Sequence, residues 1–310
     1  MSEATKLLLV DARGLLWRAF DSQKMLSAVV DGEEMATGGI YGFLNTLVRI
    51  HPRYGSPRMI VCWEGTKNFR FRLYPQYKDK AEPPTPERAE LNEELWEQER
   101  HLIALLAAIG VEQFRCPAGE ADDVMARLAK ETPGRVIIYS GDSDMRQLVD
   151  ERVLVAAAGK KHDVIYTPKK VFEKHGVWPR HIAALKALAG DGSDNIPGIR
   201  DVGPKTAAKL LNHYGSLKKT LRAAVENDPG WPMTQRIRDL VAMGEADARR
   251  FFQLTNVRTD LPMERVGNLS AYPSREGIMD QLRKYSFRSL AMALEMKALW
   301  AMSAHARKEP

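Results

Sequence analysis

The chain has 310 residues, 44% of them hydrophobic and 28% charged, the profile of a globular protein with room for one large core or two smaller ones. No apolar run approaches the roughly 18 residues of a membrane span, and the N-terminus lacks a basic-then-apolar leader, so a cytoplasmic location is expected. Cys62 and Cys116 are too few for a disulfide framework or a cysteine zinc site, and a net charge of +6 leans towards a polyanionic partner.

Lys6–Val10 reads as a buried strand and is followed by Asp11. An amphipathic stretch at 36–50 is expected to be helical, and the apolar run Met59–Trp63 is a second strand, followed by Glu64. Residues 66–80 are basic: Lys67, Arg70, Arg72, Lys78 and Lys80 interleave with Phe69, Phe71, Tyr74 and Tyr77, a mixture suited to stacking on bases beside phosphate contacts. For Phe69 a core position is the expectation. Asp79 to Pro86, with its prolines, reads as a loop, and 86–109 as a helix. Residues 81–100 hold seven glutamates, expected to face solvent.

A helix at 119–131 begins with Gly119-Glu120-Ala121-Asp122-Asp123. The strand Val136–Ser140 is followed by Gly141, Asp142 and Asp144, and Val153–Ala157 is a further strand. Strands alternating with helices imply an α/β fold with a mainly parallel sheet flanked by helices. Beyond about residue 168 the pattern is helical, at 179–190, 204–213, 245–257 and 275–299. The expected division is an α/β domain at 1–167, a helical subdomain at 168–302 and a tail at 303–310.

Acids follow three of the apolar runs, at the carboxyl ends of parallel strands, where ligands bind. Each alone could cap a helix or begin a turn. Acids at a helix N-terminus are favourable, but Gly190-Asp191-Gly192-Ser193-Asp194-Asn195 closes a helix at Ile182–Ala189, where negative charge is unfavourable and a cation is needed. Asp11, Glu64, Glu120, Asp122, Asp123, Asp142, Asp144, Asp191 and Asp194 converging on one rim would repel one another without cations. Hard divalent ions with oxygen ligands, magnesium or manganese, resolve that crowding, and two suit attack on a phosphodiester. The seven histidines show no metal spacing.

The runs Gly119–Val124, Asp142-Ser143-Asp144 and Gly190–Gly198 together resemble the 5′ nuclease family, which includes the 5′→3′ exonuclease domain of bacterial DNA polymerase I, phage 5′ nucleases and flap endonucleases. Val10-Asp11 with Trp17-Arg18-Ala19-Phe20, Phe69-Arg70, Tyr77-Lys78 and Val257–Pro262 extend the resemblance from about residue 6 to 300. It implies a PIN-like catalytic domain and two or more Mg2+ or Mn2+ ions held by the nine acids, with Asp11 and Asp142 central to catalysis. Arg70 and Lys78 are implied to contact the scissile phosphate, with Arg18, Arg72 and Tyr77 binding DNA. Residues about 67–110 are similar to the family's helical arch. Gly198-Ile199-Arg200-Asp201-Val202-Gly203-Pro204-Lys205-Thr206 resembles its helix–hairpin–helix, at about 182–213, where Gly198, Gly203, Lys205, Thr206 and Lys209 would grip the DNA backbone and K+ is often bound. A Walker-type phosphate loop fails there, because Pro204 follows Gly203 and no strand precedes it.

Two positions depart from the family pattern: Glu64 stands in place of Asp, and Trp17 in place of Tyr. The resemblance implies a monomeric, structure-specific nuclease for DNA with 5′ flaps, nicks or free 5′ ends, and for RNA–DNA hybrids at primers. No polymerase segment follows within the chain, so a free-standing bacterial or phage enzyme or an excised domain is expected; the polar tail and Met1 favour the free-standing case, cooperating with a separate DNA polymerase. Two alternatives stay open: a catalytically inactive DNA-binding accessory protein and a PIN-type ribonuclease.

Overall fold

The computed structural model of the chain describes residues 4–23, 25–79, 85–267 and 274–287. In chain order come β1 (Thr5–Asp11), α1 (Ala12–Ser22), β2 (Ser27–Val30), β3 (Glu33–Ala36), α2 (Gly38–Arg53), β4 (Arg58–Trp63), α3 (Phe69–Leu73) and α4 (Pro86–Ala108). Then follow β5 (Glu112–Arg115), α5 (Ala121–Glu131), β6 (Arg135–Tyr139), a 3₁₀ turn (Asp144–Leu148), β7 (Val153–Ala157), β8 (Val164–Tyr166) and α6 (Pro168–His175). The remainder is α7 (Ile182–Ala189), α8 (Pro204–Tyr214), α9 (Leu217–Val225), α10 (Gln235–Met243), α11 (Glu245–Thr255), β9 (Glu264–Arg265) and α12 (Arg275–Lys284).

These elements form two compact units that interleave along the chain. One comprises Met1–Thr66, Pro83–Gly141 and Thr259–Pro310, the other Lys67–Glu82 and Asp142–Arg258.

In the first unit the strand order is β6-β1-β4-β5-β9, with β6, β1, β4 and β5 parallel and β9 antiparallel at the edge. Leu7, Leu8, Leu9 and Val10 are buried in succession, so both faces of β1 are covered, as an unbroken apolar run requires. Register decides which residues reach the carboxyl edge together: Asp11 lies beside Cys62, and Val10 beside Tyr139. Asp11, Glu64 and Ser140 therefore leave the sheet at one level. α2 begins at Thr37 without a side-chain cap. Instead the buried Gln98 of α4 accepts the Gly39 and Ile40 amides at 2.8 and 3.3 Å, keying α4 against α2. Glu87, Glu90 and Glu93 of α4 face solvent as expected. Glu94, Glu97 and Glu99 do not: they are half-buried, because α4 packs through Leu95, Leu102, Leu105 and Leu106 and its neighbours follow the turn inward.

The second unit is mainly helical. α11 packs on α7, where the buried Thr255 hydroxyl donates to the Ala183 carbonyl at 2.9 Å. The expected helix at 179–190 is split into a 3₁₀ turn, Pro179–His181, and α7. α7 and α8 flank a hairpin closed by the Val202 amide on the Ile199 carbonyl (3.0 Å), with both side chains buried. Gly203 caps α8, and Pro204 fills its first turn, where no amide donor is needed. β7 and β8 form an antiparallel pair. The expected helix 275–299 is seen as α12; its remainder from 288, the tail at 303–310 and residues 80–84 of the expected arch lie outside the described residues.

Candidate functional site

Each unit gathers its own set of the expected acids. In the first, Asp11 ends β1 and caps α1: one carboxylate oxygen accepts the Gly14 amide (3.1 Å) and the other the Ser140 hydroxyl (2.7 Å). The carboxylate is thereby fixed in orientation at the ends of β1 and β6. Arg18, exposed on α1, places its guanidinium near Gly141.

Glu64 follows β4, and its Oε2 accepts the Ala121 amide at 3.3 Å, the first residue of α5. The extra methylene of glutamate thus reaches the helix N-terminus, where negative charge is favoured. The loops carrying these groups touch through backbone: the Gly65 amide donates to the Gly119 carbonyl at 3.2 Å, and a Cβ at Gly65 would lie 1.9 Å from the Cys116 carbonyl oxygen. Glu120 caps α5, and its amide donates to Asp123 Oδ2 at 2.9 Å. Asp123, 2% exposed, closes the cap through this oxygen. Burial first, then the negative fields of Asp11 and Asp122, push the Cys62 thiol well above its ordinary pKa, so both acids act on the end of β4.

In the second unit Asp144, Asp191 and Asp194 bring carboxylate oxygens within 4.8 Å of one another. Asp142 is tied to this set, its Oδ1 accepting the Asp144 amide at 2.8 Å. The loop after α7 is pinned by reciprocal backbone bonds between Asp191 and Ile196 of 2.7 and 2.8 Å. Gly198 (φ 68°) closes it; a Cβ there would lie 2.2 Å from the Gly190 nitrogen. A further chain segment is fastened on: the Tyr77 hydroxyl donates to Asp194 Oδ2 (3.0 Å), the Lys78 amide to the Asp194 carbonyl (3.0 Å) and the Asn195 side chain to the Gln76 carbonyl (2.8 Å).

A cation was expected to offset acids at the C-terminal end of α7, and the protein supplies one. Lys186, in the last turn of α7, pairs with Asp191 Oδ2 at 2.5 Å and with Asp144. Burial raises the Asp191 pKa, but hydrogen bonds from Lys186 and Ser193 and the Lys186 charge outweigh it and hold the carboxyl below its usual range. Lysine in a last helical turn is ordinary, which is why its spacing to Asp191 did not single it out. Ser140 and Ser193, which orient Asp11 and Asp191, were missed for the same reason.

Two residues of the basic segment are buried in the structure. Arg70 is 2% exposed, with Nε donating to the Leu254 carbonyl at 2.8 Å and its guanidinium 4.6 Å from the Phe69 ring centre. It is anchored in the interior of its unit. Tyr77 is 1% exposed, so its ring cannot stack on a base. Phe69 is core, as expected, while Phe71 is exposed. Lys78 is exposed and left-handed in backbone (φ 55°), a conformation that costs about 1–2 kcal/mol outside glycine and is held here by its amide bond to Asp194. Arg72, Lys205 and Lys209 are exposed and Thr206 half-exposed; Lys205 and Lys209 share a face of α8.

The chemistry of this donor set is hard and all oxygen, which fits a divalent metal ion. A family model described as the 5′-3′ exonuclease N-terminal resolvase-like domain matches residues 6–176, and one for the 5′-3′ exonuclease C-terminal SAM fold matches 177–296. DNA polymerase I of Bacillus subtilis is 34% identical over 270 residues, 85% of this chain and 29% of that protein. A 5′-3′ exonuclease of Buchnera aphidicola is 30% identical over 264 residues, 83% of this chain and 88% of that protein. The chain thus spans about a third of the DNA polymerase I relatives it matches, 29% to 32% of their length. The T5 D15 protein, solved co-crystallised with metal ions, shares the fold with a TM-score of 0.68 at 20% identity, over 97% of this chain and 99% of that one.

Proposed function

We propose that this chain, which belongs to the 5′-3′ exonuclease family, is a divalent-metal-dependent 5′ nuclease hydrolysing DNA at free 5′ ends, nicks and flaps. The observation that carries the reading is the concentration of oxygen ligands: Asp144, Asp191 and Asp194 within 4.8 Å of one another, with Asp142 beside them. Asp11, Glu64, Glu120 and Asp122 supply a second set at the ends of β1 and β4 and the start of α5. Each set would hold Mg2+ or Mn2+, and hydrolysis would need both. Asp123 supports the second set through its cap and is not a ligand in this reading. When bound, such ions supply an activated water and neutralise charge on the leaving oxygen.

Water is the attacking group in this reading. The Ser140 and Ser193 hydroxyls are spent on Asp11 and Asp191, and the Cys62 thiol is buried and held protonated. Lys78, Arg72 and Arg18, all exposed, would each contact substrate phosphate. The amides at the start of α8, near Gly203 and Thr206, and the Lys205 and Lys209 side chains would hold duplex backbone, with K+ in the Gly198–Gly203 hairpin. Such contacts fix position without reading sequence, which suits a structure-specific enzyme. RNA–DNA hybrids at primers, monomeric action in the cytoplasm and work alongside DNA polymerase activity complete the proposal.

The test presents 5′-labelled flap, nicked and blunt duplexes and single-stranded RNA, with Mg2+, Mn2+ or chelator. Metal-dependent cutting of the flap is expected, and Asp142→Asn should abolish it while leaving flap binding intact. Cleavage of RNA alone would make this a PIN-type ribonuclease, and DNA binding without cleavage under any metal an accessory protein.

A further inference from the structure

We infer that Lys186 is a built-in counterion that keeps Asp144 and Asp191 in ligating geometry without metal and competes with a divalent ion for them. The inference rests on the proposal that this cluster binds metal. The Lys186 side chain is 15% exposed, and its ammonium contacts both acids, two of the three whose oxygens converge. A divalent ion on that cluster needs the same oxygens, so the two cations cannot hold them at once.

The charge count sets the size of the competition. Asp144, Asp191 and Asp194 carry three formal negative charges, and Asp191 lies just past the C-terminal end of α7, where the helix dipole adds to the repulsion. Lys186 removes one charge and stabilises the metal-free loop. The same pairing opposes metal binding, because the ion must first displace the ammonium. Lysine suits this: its charge sits on a flexible four-carbon stem, so Nζ can withdraw while α7 stays where it is. Asp194 is held from the other side by the Tyr77 hydroxyl, so it keeps its place whichever cation is present. Lys186 is in this account a positioning residue.

The experiment titrates Mn2+ into the full chain by calorimetry and records thermal melts in chelator, for wild type, Lys186→Met, Lys186→Arg and Asp191→Asn. In wild type, one Mn2+ binding event should be lost in Asp191→Asn, which identifies the cluster. Lys186→Met should bind that Mn2+ about tenfold more tightly, the scale of one partly buried ion pair, and melt lower than wild type in chelator. Lys186→Arg should stay near wild type in affinity. Lys186→Gln, which also removes the charge, gives the same reading should the methionine variant not fold. Unchanged or weaker Mn2+ binding in the neutral variants overturns the competition while leaving the metal site standing. No Mn2+ binding sensitive to Asp191→Asn in wild type overturns the metal proposal itself, and this inference with it.

Discussion

Tyr77→Phe removes one oxygen from the second unit and leaves the ring. The ring is 1% exposed and packs edge-on to Phe71 at 5.7 Å, so phenylalanine fits the same space. What is lost is the hydroxyl's bond to Asp194 Oδ2 at 3.0 Å. A hydrogen bond to a charged acceptor contributes about 1.5–3 kcal/mol, and partial solvent access brings this one to roughly 1–2 kcal/mol. Two ties hold the segment regardless, the Lys78 amide on the Asp194 carbonyl and Asn195 on the Gln76 carbonyl, so the loop stays closed. The expected melt is about 2–4 °C lower in chelator. The Asp194 carboxylate loses a partner that orients it, so Mn2+ affinity should fall about tenfold, the usual cost of losing a group that orients a ligand. A variant matching wild type in both melt and Mn2+ titration would refute the idea that Tyr77 holds Asp194 in place.

Gly65→Ala sets a methyl group against the Cys116 carbonyl, forcing the loops after β4 and β5 apart; a loss of about 1–3 kcal/mol in denaturant titration and of flap cleavage is expected, and an unchanged melt would show that these loops yield freely. His175 is held down to about 4 from 6.5 by burial, then by Arg146 and Lys174. A lowered histidine pKa favours the neutral folded form, so its contribution is complete above pH 6.5 and is lost as pH falls towards 4. The drop to about 4 caps the effect at about 3 kcal/mol, and screening of the half-buried ring reduces it to about 1 kcal/mol; equal acid sensitivity in wild type and His175→Gln would contradict it. Lys78→Ala should melt like wild type yet cut flap DNA about a hundredfold more slowly, and unaltered cleavage would remove Lys78 from the site.

The parallel core was legible because both faces of its strands are covered: Leu7–Val10 and Met59–Trp63 are unbroken apolar runs, and each ends at an acid. The short hairpin β2–β3 was overlooked although Asp31-Gly32, both at positive φ (54° and 94°), is the dipeptide that a tight turn selects. β5 was missed for its composition, Glu-Gln-Phe-Arg, whose polar residues are paired in the fold: Glu112 with Arg58 at 2.7 Å, and Gln113 with the Trp63 indole at 2.9 Å. Among the site residues, carboxylates announce themselves by clustering. What surrounds them does not: Arg70 and Tyr77 read as exposed DNA contacts because neither type is usually interior, and only the packing of α3 and the loop after α7 reveals that both are anchors. Lys186 was hidden because its role depends on Asp144, more than forty residues away in sequence.

Diffraction from crystals soaked in Mn2+, recorded at the manganese absorption edge, tests the central claim most directly. The account predicts an anomalous peak about 2.1 Å from carboxylate oxygens of Asp144, Asp191 and Asp194, with the Lys186 ammonium displaced, and a second peak among Asp11, Glu64, Glu120 and Asp122. A map with no peak at either set, at a Mn2+ concentration that supports cleavage in solution, would contradict it.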